Sequence, residues 1–348
     1  MSAIELGATL YFPATREDLP AIAAGAVPGL RSAVVCLEDA VAERDVGRAL
    51  GGLRGLLAAL AGAPSAVRLY VRPRTPAMLA GIARLAGIGR VEGFVLPKAD
   101  ASNLGHWLAA LPRTGHRLMP TVETACAFDR DALSRLRDAL LPHRERVTAV
   151  RIGGNDVLGL LGTRRARTRT AYEGPLANVV RDVASVFLPA GFEVAAPVFE
   201  HWGETGTLLA EVALDLEHGL LTKTAIHPCQ VGPIQRAYRP GPEELEQARL
   251  VLAPDAPAVF GHAGSLCEPA THRGWARRTL ERARVHGERD ASGAPVAPGG
   301  SDGAPTRPQR DASPASPTSI GAIGASATPS ASSVSSVSPP LGSPRSRW

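Results

Sequence analysis

The strongest constraint on this chain is a repeat: short apolar runs that end in charged residues, each followed by a stretch with helical spacing. The runs are Ala8 to Phe12, Ser32 to Leu37, Val67 to Val71, Gly93 to Leu96, His116 to Val122, Val147 to Ile152, Phe192 to Pro197 and Thr222 to Ile226. Helical spacing covers Arg44 to Leu60, Thr75 to Leu85, Ala101 to Leu111, Thr124 to Leu140, Pro175 to Phe187 and part of Glu204 to Gly219. Strands that alternate with helices form a parallel sheet, and eight such units close most economically into a (β/α)8 barrel. An open doubly wound sheet competes with this reading, but no Gly-x-Gly-x-x-Gly turn follows the first strand.

The barrel reading assigns residues 1–240 to the catalytic barrel and 241–286 to a C-terminal helical extension. The tail, 287–348, is dominated by Ser, Pro, Ala and Gly. It cannot bury enough apolar surface to offset the entropy of ordering, and is expected to be disordered. Roughly 285 residues remain to fold, enough for one large α/β domain. The four cysteines form no Cys-x-x-Cys pair, which argues against a disulfide framework and against structural zinc. A formal net charge of +5, sparse aromatics and no reader motif point away from nucleic acid. With no signal peptide and no apolar run of about 18 residues, the expectation is a soluble, cytoplasmic protein away from membranes.

In such a barrel, residues just past the C-terminal ends of the strands gather on one rim. Here they are Arg16, Glu38, Asp39, Arg72, Arg74, Lys98, Glu123, Asn155, Asp156, Glu200 and His227. Glu123 and Asp156 follow adjacent strands, so their carboxylates are placed to share one ion. Two oxygen ligands with the remaining positions left to water and substrate suit magnesium, whereas zinc would ask for His or Cys. The competing readings are local: Glu123 or Asp156 as a helix cap, Arg72 as a partner of Glu38 or Asp39, His227 as a structural residue of a rigid turn. Asn155 is open between a supporting residue and a cap. The cluster Arg164, Arg165, Arg167 and Arg169 reads either as a solvated loop or as an anion site beside the active centre.

These residues resemble the HpcH/HpaI aldolase and citrate lyase β-subunit family. The motifs are Leu10-Tyr-Phe-Pro-Ala-Thr-Arg16, Val35-Cys-Leu-Glu-Asp-Ala-Val41, Val71-Arg72, Val95-Leu-Pro-Lys98, Val122-Glu-Thr124, Gly153-Gly-Asn-Asp156 and Lys223-Thr-Ala-Ile-His-Pro-Cys-Gln230. The resemblance implies a magnesium-dependent (β/α)8 lyase or aldolase. It would make or break a carbon–carbon bond through a metal-stabilised enolate, on an anionic oxoacid or a CoA thioester. It implies magnesium on Glu123 and Asp156, with Arg72 binding the oxoacid and Glu38 and Asp39 ordering Arg72 and the water around the ion. Arg16, Arg74, Lys98, Arg164 and Arg165 are the further candidates for substrate binding. Gly264-Ser-Leu-Cys-Glu268 is similar to a segment that supplies a catalytic acid to a neighbouring subunit, which makes Glu268 a candidate and a homo-oligomer the expected assembly. Two departures, Arg74 after Pro73 and the basic cluster, point to an altered anionic substrate other than CoA, so one alternative is a biosynthetic aldolase with a phosphorylated substrate; a second, of a different class, is a non-catalytic binding barrel.

Overall fold

The computed structural model describes residues 2–111 and 115–289; the tail from 290 onward, expected to be disordered, lies outside the described residues. Eight parallel strands form one sheet: β1 (Ala8–Pro13), β2 (Ser32–Cys36), β3 (Arg68–Arg72), β4 (Gly93–Leu96), β5 (Arg117–Val122), β6 (Val150–Ile152), β7 (Val194–Ala195) and β8 (Lys223–Ala225). Their order is β7-β6-β5-β4-β3-β2-β1-β8. A single bridge from Ala196, just past β7, to Lys223 closes the sheet into a barrel. The expected (β/α)8 architecture is the observed one.

The helices are α1 (Leu19–Ala23), α2 (Val46–Gly62), α3 (Pro76–Ile82), α4 (Leu104–Ala110), α5 (Arg130–Leu140), α6 (Gly154–Leu160), α7 (Leu176–Phe187), α8 (Thr205–Glu217), α9 (Pro228–Ala237), α10 (Pro242–Leu252) and α11 (Pro269–His286). Helices between the strands present an apolar stripe to the outside of the barrel. On α7, for example, Leu176, Val179, Val180, Val183 and Phe187 are all buried. The barrel interior is a separate, smaller core that includes Val34, Tyr70, Val95, Met119, Ala149 and Ala195. These are alternate residues of successive strands, as the two-residue period of a strand requires.

The described chain continues past the expected boundary at 286. Arg289 donates its backbone N–H to Pro240 (3.0 Å), and Glu288 pairs with Arg249 (3.3 Å). The segment after the barrel packs α10 against α11 through Ala248, Val251, Cys267 and Ala276. The end of α11 then closes the N-terminal face of the barrel, where Val285 is buried with Ile4 and Leu221. Arg31 donates to the Val285 carbonyl there, and Arg278 reaches Glu193 (2.7 Å) ahead of β7. Among the described residues no helix is long and apolar enough to cross a membrane.

His286, the last residue of α11, is buried against Tyr238 with ring centroids 5.3 Å apart. Burial, reinforced by the nearby Arg31, pushes its pKa down to about 3. In the unfolded chain this ring takes a proton near pH 6.5, so between those values the unfolded state binds more protons than the folded one. Stability should therefore fall as pH drops below 6.5, by up to about 1.4 kcal/mol per pH unit from this residue. Chemical denaturation of the wild type and His286→Leu from pH 7 to pH 4.5 checks this. The variant should show a flatter slope by that amount, and parallel slopes would refute it.

Candidate active site

The strand ends converge as their positions predict. A cavity of about 310 Å³ opens at the C-terminal rim, lined by Glu38, Asp39, Arg72, Glu123, Gly153, Asn155 and Asp156 among others. Two larger hollows lie elsewhere, one of about 730 Å³ around Arg31 and Arg68 and one of about 930 Å³ beside α8, α9 and α11. Neither gathers the strand-end carboxylates.

Arg72, the last residue of β3, is the hub of the rim. Its Nε donates to Glu38 Oε2 (2.9 Å) and its Nη2 to Glu123 Oε1 (2.9 Å). All three side chains are buried. Glu38 is held in place because Leu37 extends the sheet ladder past β2, its N–H bonding the Arg72 carbonyl (2.9 Å). Burial alone would raise the Glu38 carboxyl, but Arg72 and the Lys98 ammonium outweigh it and hold the pKa at about 2. Asp39, more exposed, is moved the other way by burial and by its neighbour Glu38.

Glu123 stands one residue past β5. The Lys98 backbone N–H donates to its Oε1 (2.7 Å), from a residue held in the left-handed region at φ 50°. A non-glycine residue there carries backbone strain, which the bonds of Lys98 to Glu123, Glu38 and Asn103 oppose. Glu123 Oε2 is buried and has no hydrogen-bond partner. Burial first, and then the Asp156 carboxylate, push the Glu123 pKa up to about 7 against the pull of Arg72. Gly153 makes this crowding possible, because a Cβ on it would come within 2.3 Å of Glu123 Oε2. Asp156 sits in the first turn of α6, whose N-cap is Gly153 and which has no side-chain cap. The helix after Glu123 is capped by Asp129, not by Glu123. Neither acid is used as a cap.

The other expected site residues divide. Asn155 donates to Glu200 (3.3 Å), so it supports the rim and does not cap α6. Lys98 binds Glu38 and Asp39 (3.5 Å) at the rim. Arg16 pairs with Asp18, and its Nε–Oδ1 distance is 2.7 Å. Arg74 ties down the loop after β2, through Glu43 (2.8 Å) and the Val41 carbonyl (2.6 Å). Neither Arg16 nor Arg74 lines the cavity. Most of the basic cluster is ion-paired: Arg164 with Glu200 (2.8 Å) and Arg167 with Glu204 (3.5 Å), while Arg164, Arg165 and Arg169 line a separate hollow of about 90 Å³ beside α6. Arg165 corrects the expectation most sharply. It turns inward onto Glu211 in a buried network with Lys223, Asp215 and Tyr172, so it anchors the loop after α6 and is sealed from the cavity. His227 caps α9 and stacks on Trp202. Glu268, at the start of α11, is absent from the cavity lining of its own chain.

Four cavity residues lie outside the expected set: Tyr11, Thr121, Arg151 and Thr224. The signal for Arg151 was present as a charge inside the apolar run Val150-Arg151-Ile152.

The comparisons with known proteins bear on the fold and the family. No curated protein matches the chain. CitE from Mycobacterium tuberculosis, in complex with magnesium, acetoacetate and coenzyme A, is 23% identical with a TM-score of 0.62, over 81% of this chain and 99% of that one. RipC from Yersinia pestis is 21% identical with a TM-score of 0.52, over 68% of this chain and 96% of that one. The citrate lyase β subunit from M. tuberculosis, complexed with oxaloacetate and magnesium, is 22% identical with a TM-score of 0.51, over 69% and 100%. At these identities the likeness establishes the fold. The model of a family described as C–C bond lyases of the TIM-barrel fold matches residues 1–288, and with the strand-end site in place the chain belongs to that family of carbon–carbon bond lyases.

Proposed function

We propose that the rim cavity binds magnesium on Glu123 and Asp156 and makes or breaks a carbon–carbon bond beside a carbonyl, in an anionic oxoacid or an acyl-CoA thioester. The observation that carries this reading is Glu123 Oε2, buried without a partner in the cavity that also holds Asp156. A buried carboxylate oxygen left unpaired costs free energy, and a cation removes that cost. Among the described residues no cluster of three or more His, Cys, Asp or Glu side chains forms a metal cage. Two carboxylates suit an ion that keeps several waters. The magnesium in the CitE and citrate lyase β structures supports the same assignment. When bound, magnesium would supply a Lewis acid that polarises the substrate carbonyl.

The chain's own residues do the rest. Arg72 is pinned through Nε and Nη2, which leaves Nη1 with no bond to another described residue. From the cavity wall Nη1 can donate to the oxygen on which charge develops. Glu38 keeps Arg72 and Lys98 in place. Asp39, at the cavity lip beside Arg72 (3.8 Å) and Lys98 (3.5 Å), helps to order these cations and the water around the ion. None of the four arginines of the cluster lines the rim cavity, and Arg164, Arg165 and Arg167 are each paired with a glutamate, which weighs against the phosphorylated-substrate alternative.

The test is a panel of 4-hydroxy-2-oxo acids and 3-hydroxyacyl-CoA thioesters, whose hydroxyl lies β to the activating carbonyl, assayed for the carbonyl product with magnesium and with chelator. Product should form only with magnesium and vanish in Asp156→Asn; turnover that survives chelation would sink the reading. A milder perturbation probes the crowding at Gly153. Gly153→Ala should displace Glu123 and weaken magnesium binding by about tenfold or more, read by calorimetry on a variant with unchanged circular dichroism. Wild-type affinity in that variant would mean Glu123 is no ligand.

A further inference from the structure

Arg151 is one of the largest fully buried side chains in the protein, at 1% exposure, and it lies on the cavity floor. Buried arginines normally meet a carboxylate, as Arg72 and Arg165 do here. Arg151 has none among the described residues. Its Nη2 donates to Thr224 Oγ1 (2.5 Å), its Nη1 faces Met119 Sδ (3.5 Å), and the Tyr11 ring covers one face at 5.3 Å. A hydroxyl, a thioether and a ring do not balance a guanidinium, and of its five N–H donors two are engaged, one of them by a weak acceptor.

A second observation lies beside it. Thr121 Oγ1 is buried with no hydrogen-bond partner, and Thr121 is the β5 residue in register with Arg151 on β6. Both side chains line the same cavity, and Glu123 follows two positions later on the same face of the strand. An unbalanced cation and an unused hydroxyl on neighbouring strands make a receptor for a planar anion, two residues before Glu123 and Gly153 on their strands.

We propose that Arg151 and Thr121 form an anion subsite that seats a second carboxylate of the substrate, so that the enzyme selects acids with two anionic groups. The proposal rests on the reading of the rim as the lyase site. Arg151 is then a specificity-determining residue: it grips the part of the substrate remote from the bond that changes, through the two-pronged geometry a guanidinium offers a carboxylate.

Malate and lactate differ by one carboxylate and serve as probes. Calorimetry with each, with and without magnesium, compares the wild type with Arg151→Met and Thr121→Val. The wild type should bind malate at least about tenfold more tightly than lactate, the scale of hydrogen bonds to a charged group. Arg151→Met should erase that ratio through malate alone, and Thr121→Val should reduce it. Because Arg151→Met removes an unbalanced buried charge, its melting temperature should hold or rise, whereas a merely structural arginine would leave the variant less stable. A wild type without a malate preference, or an Arg151→Met protein that keeps it, overturns the subsite. Should magnesium fail to bind while the preference still depends on Arg151, the lyase reading falls and the subsite stands.

Discussion

Arg72→Met is expected to lower stability by about 3–5 kcal/mol and to cut turnover by about a hundredfold or more. The two effects have one origin. Arg72 is buried between Glu38 and Glu123 and bonds both at 2.9 Å. Met fills the volume but strands two buried carboxylates against each other, with Lys98 as the remaining nearby cation. The pair then releases its repulsion by binding a proton, so the variant should regain more stability than the wild type as pH falls, because the wild type gains only through Glu123 while Arg72 keeps Glu38 ionised. Arg72→Lys restores a charge without the planar fork and should recover much of the stability but little of the turnover. Urea denaturation separates the cases. A Met variant as stable as the wild type would mean that the rim carboxylates do not depend on Arg72.

Lys223→Met should be the most damaging substitution away from the cavity, again by about 3–5 kcal/mol. Its ammonium is fully buried between β8 and α8 and bonds Glu211 and Asp215, both at 2.8 Å. Burial pushes Asp215 up to about 6 even with Lys223 present, and burial works against Glu211 too until Lys223 and Arg165 hold it down. Without the lysine, Arg165 is the one cation left bonded to the two acids among the described residues, beside the neutral donors Tyr172 O–H and Ala171 N–H. The same network carries the loop after α6, because Glu211 also accepts the Ala171 N–H (2.6 Å). Replacing Lys223, Glu211 and Asp215 together with apolar residues should cost less than Lys223→Met alone, since no charge is left stranded. A loss below about 1 kcal/mol for the single variant would contradict this account.

The fold was legible because strand signals are local. All eight runs became strands, and the rim acids were found because each stands within a few residues of a strand end. What was missed depended on tertiary contacts or on concealed turn chemistry. Helix α9 was not expected, since Gly232 and Pro233 interrupt it, and a Pro inside a helix is a poor local signal. The hairpin of Phe260–His262 and Ser265–Cys267 turns at Ala263 (φ 47°) and Gly264 (φ 77°). Both are left-handed, as a tight hairpin turn asks, but alanine at the first position hid it. Phe192 to Pro197 shrank to a two-residue strand because it meets its second neighbour only through the bridge at Ala196.

The site was half legible for the same reason. Sequence marks which strand delivers a residue but not whether its charge is already paired. Arg165 stood in a cluster that reads as a basic loop, yet its partner Glu211 is 46 positions away on the buried face of α8, in line with Leu208, Val212 and Asp215. Arg151 sat inside a strand, where the reading by strand ends did not reach. Its place on the cavity floor follows from the inward face of β6.

The central claim, that Glu123 and Asp156 hold the ion at which the chemistry occurs, is tested most directly by calorimetric titration of magnesium into the wild type, Glu123→Gln and Asp156→Asn. The account predicts a single magnesium site in the wild type, lost in both variants while their circular dichroism stays unchanged. A wild type that binds no divalent cation, or variants that bind magnesium as it does, would contradict it.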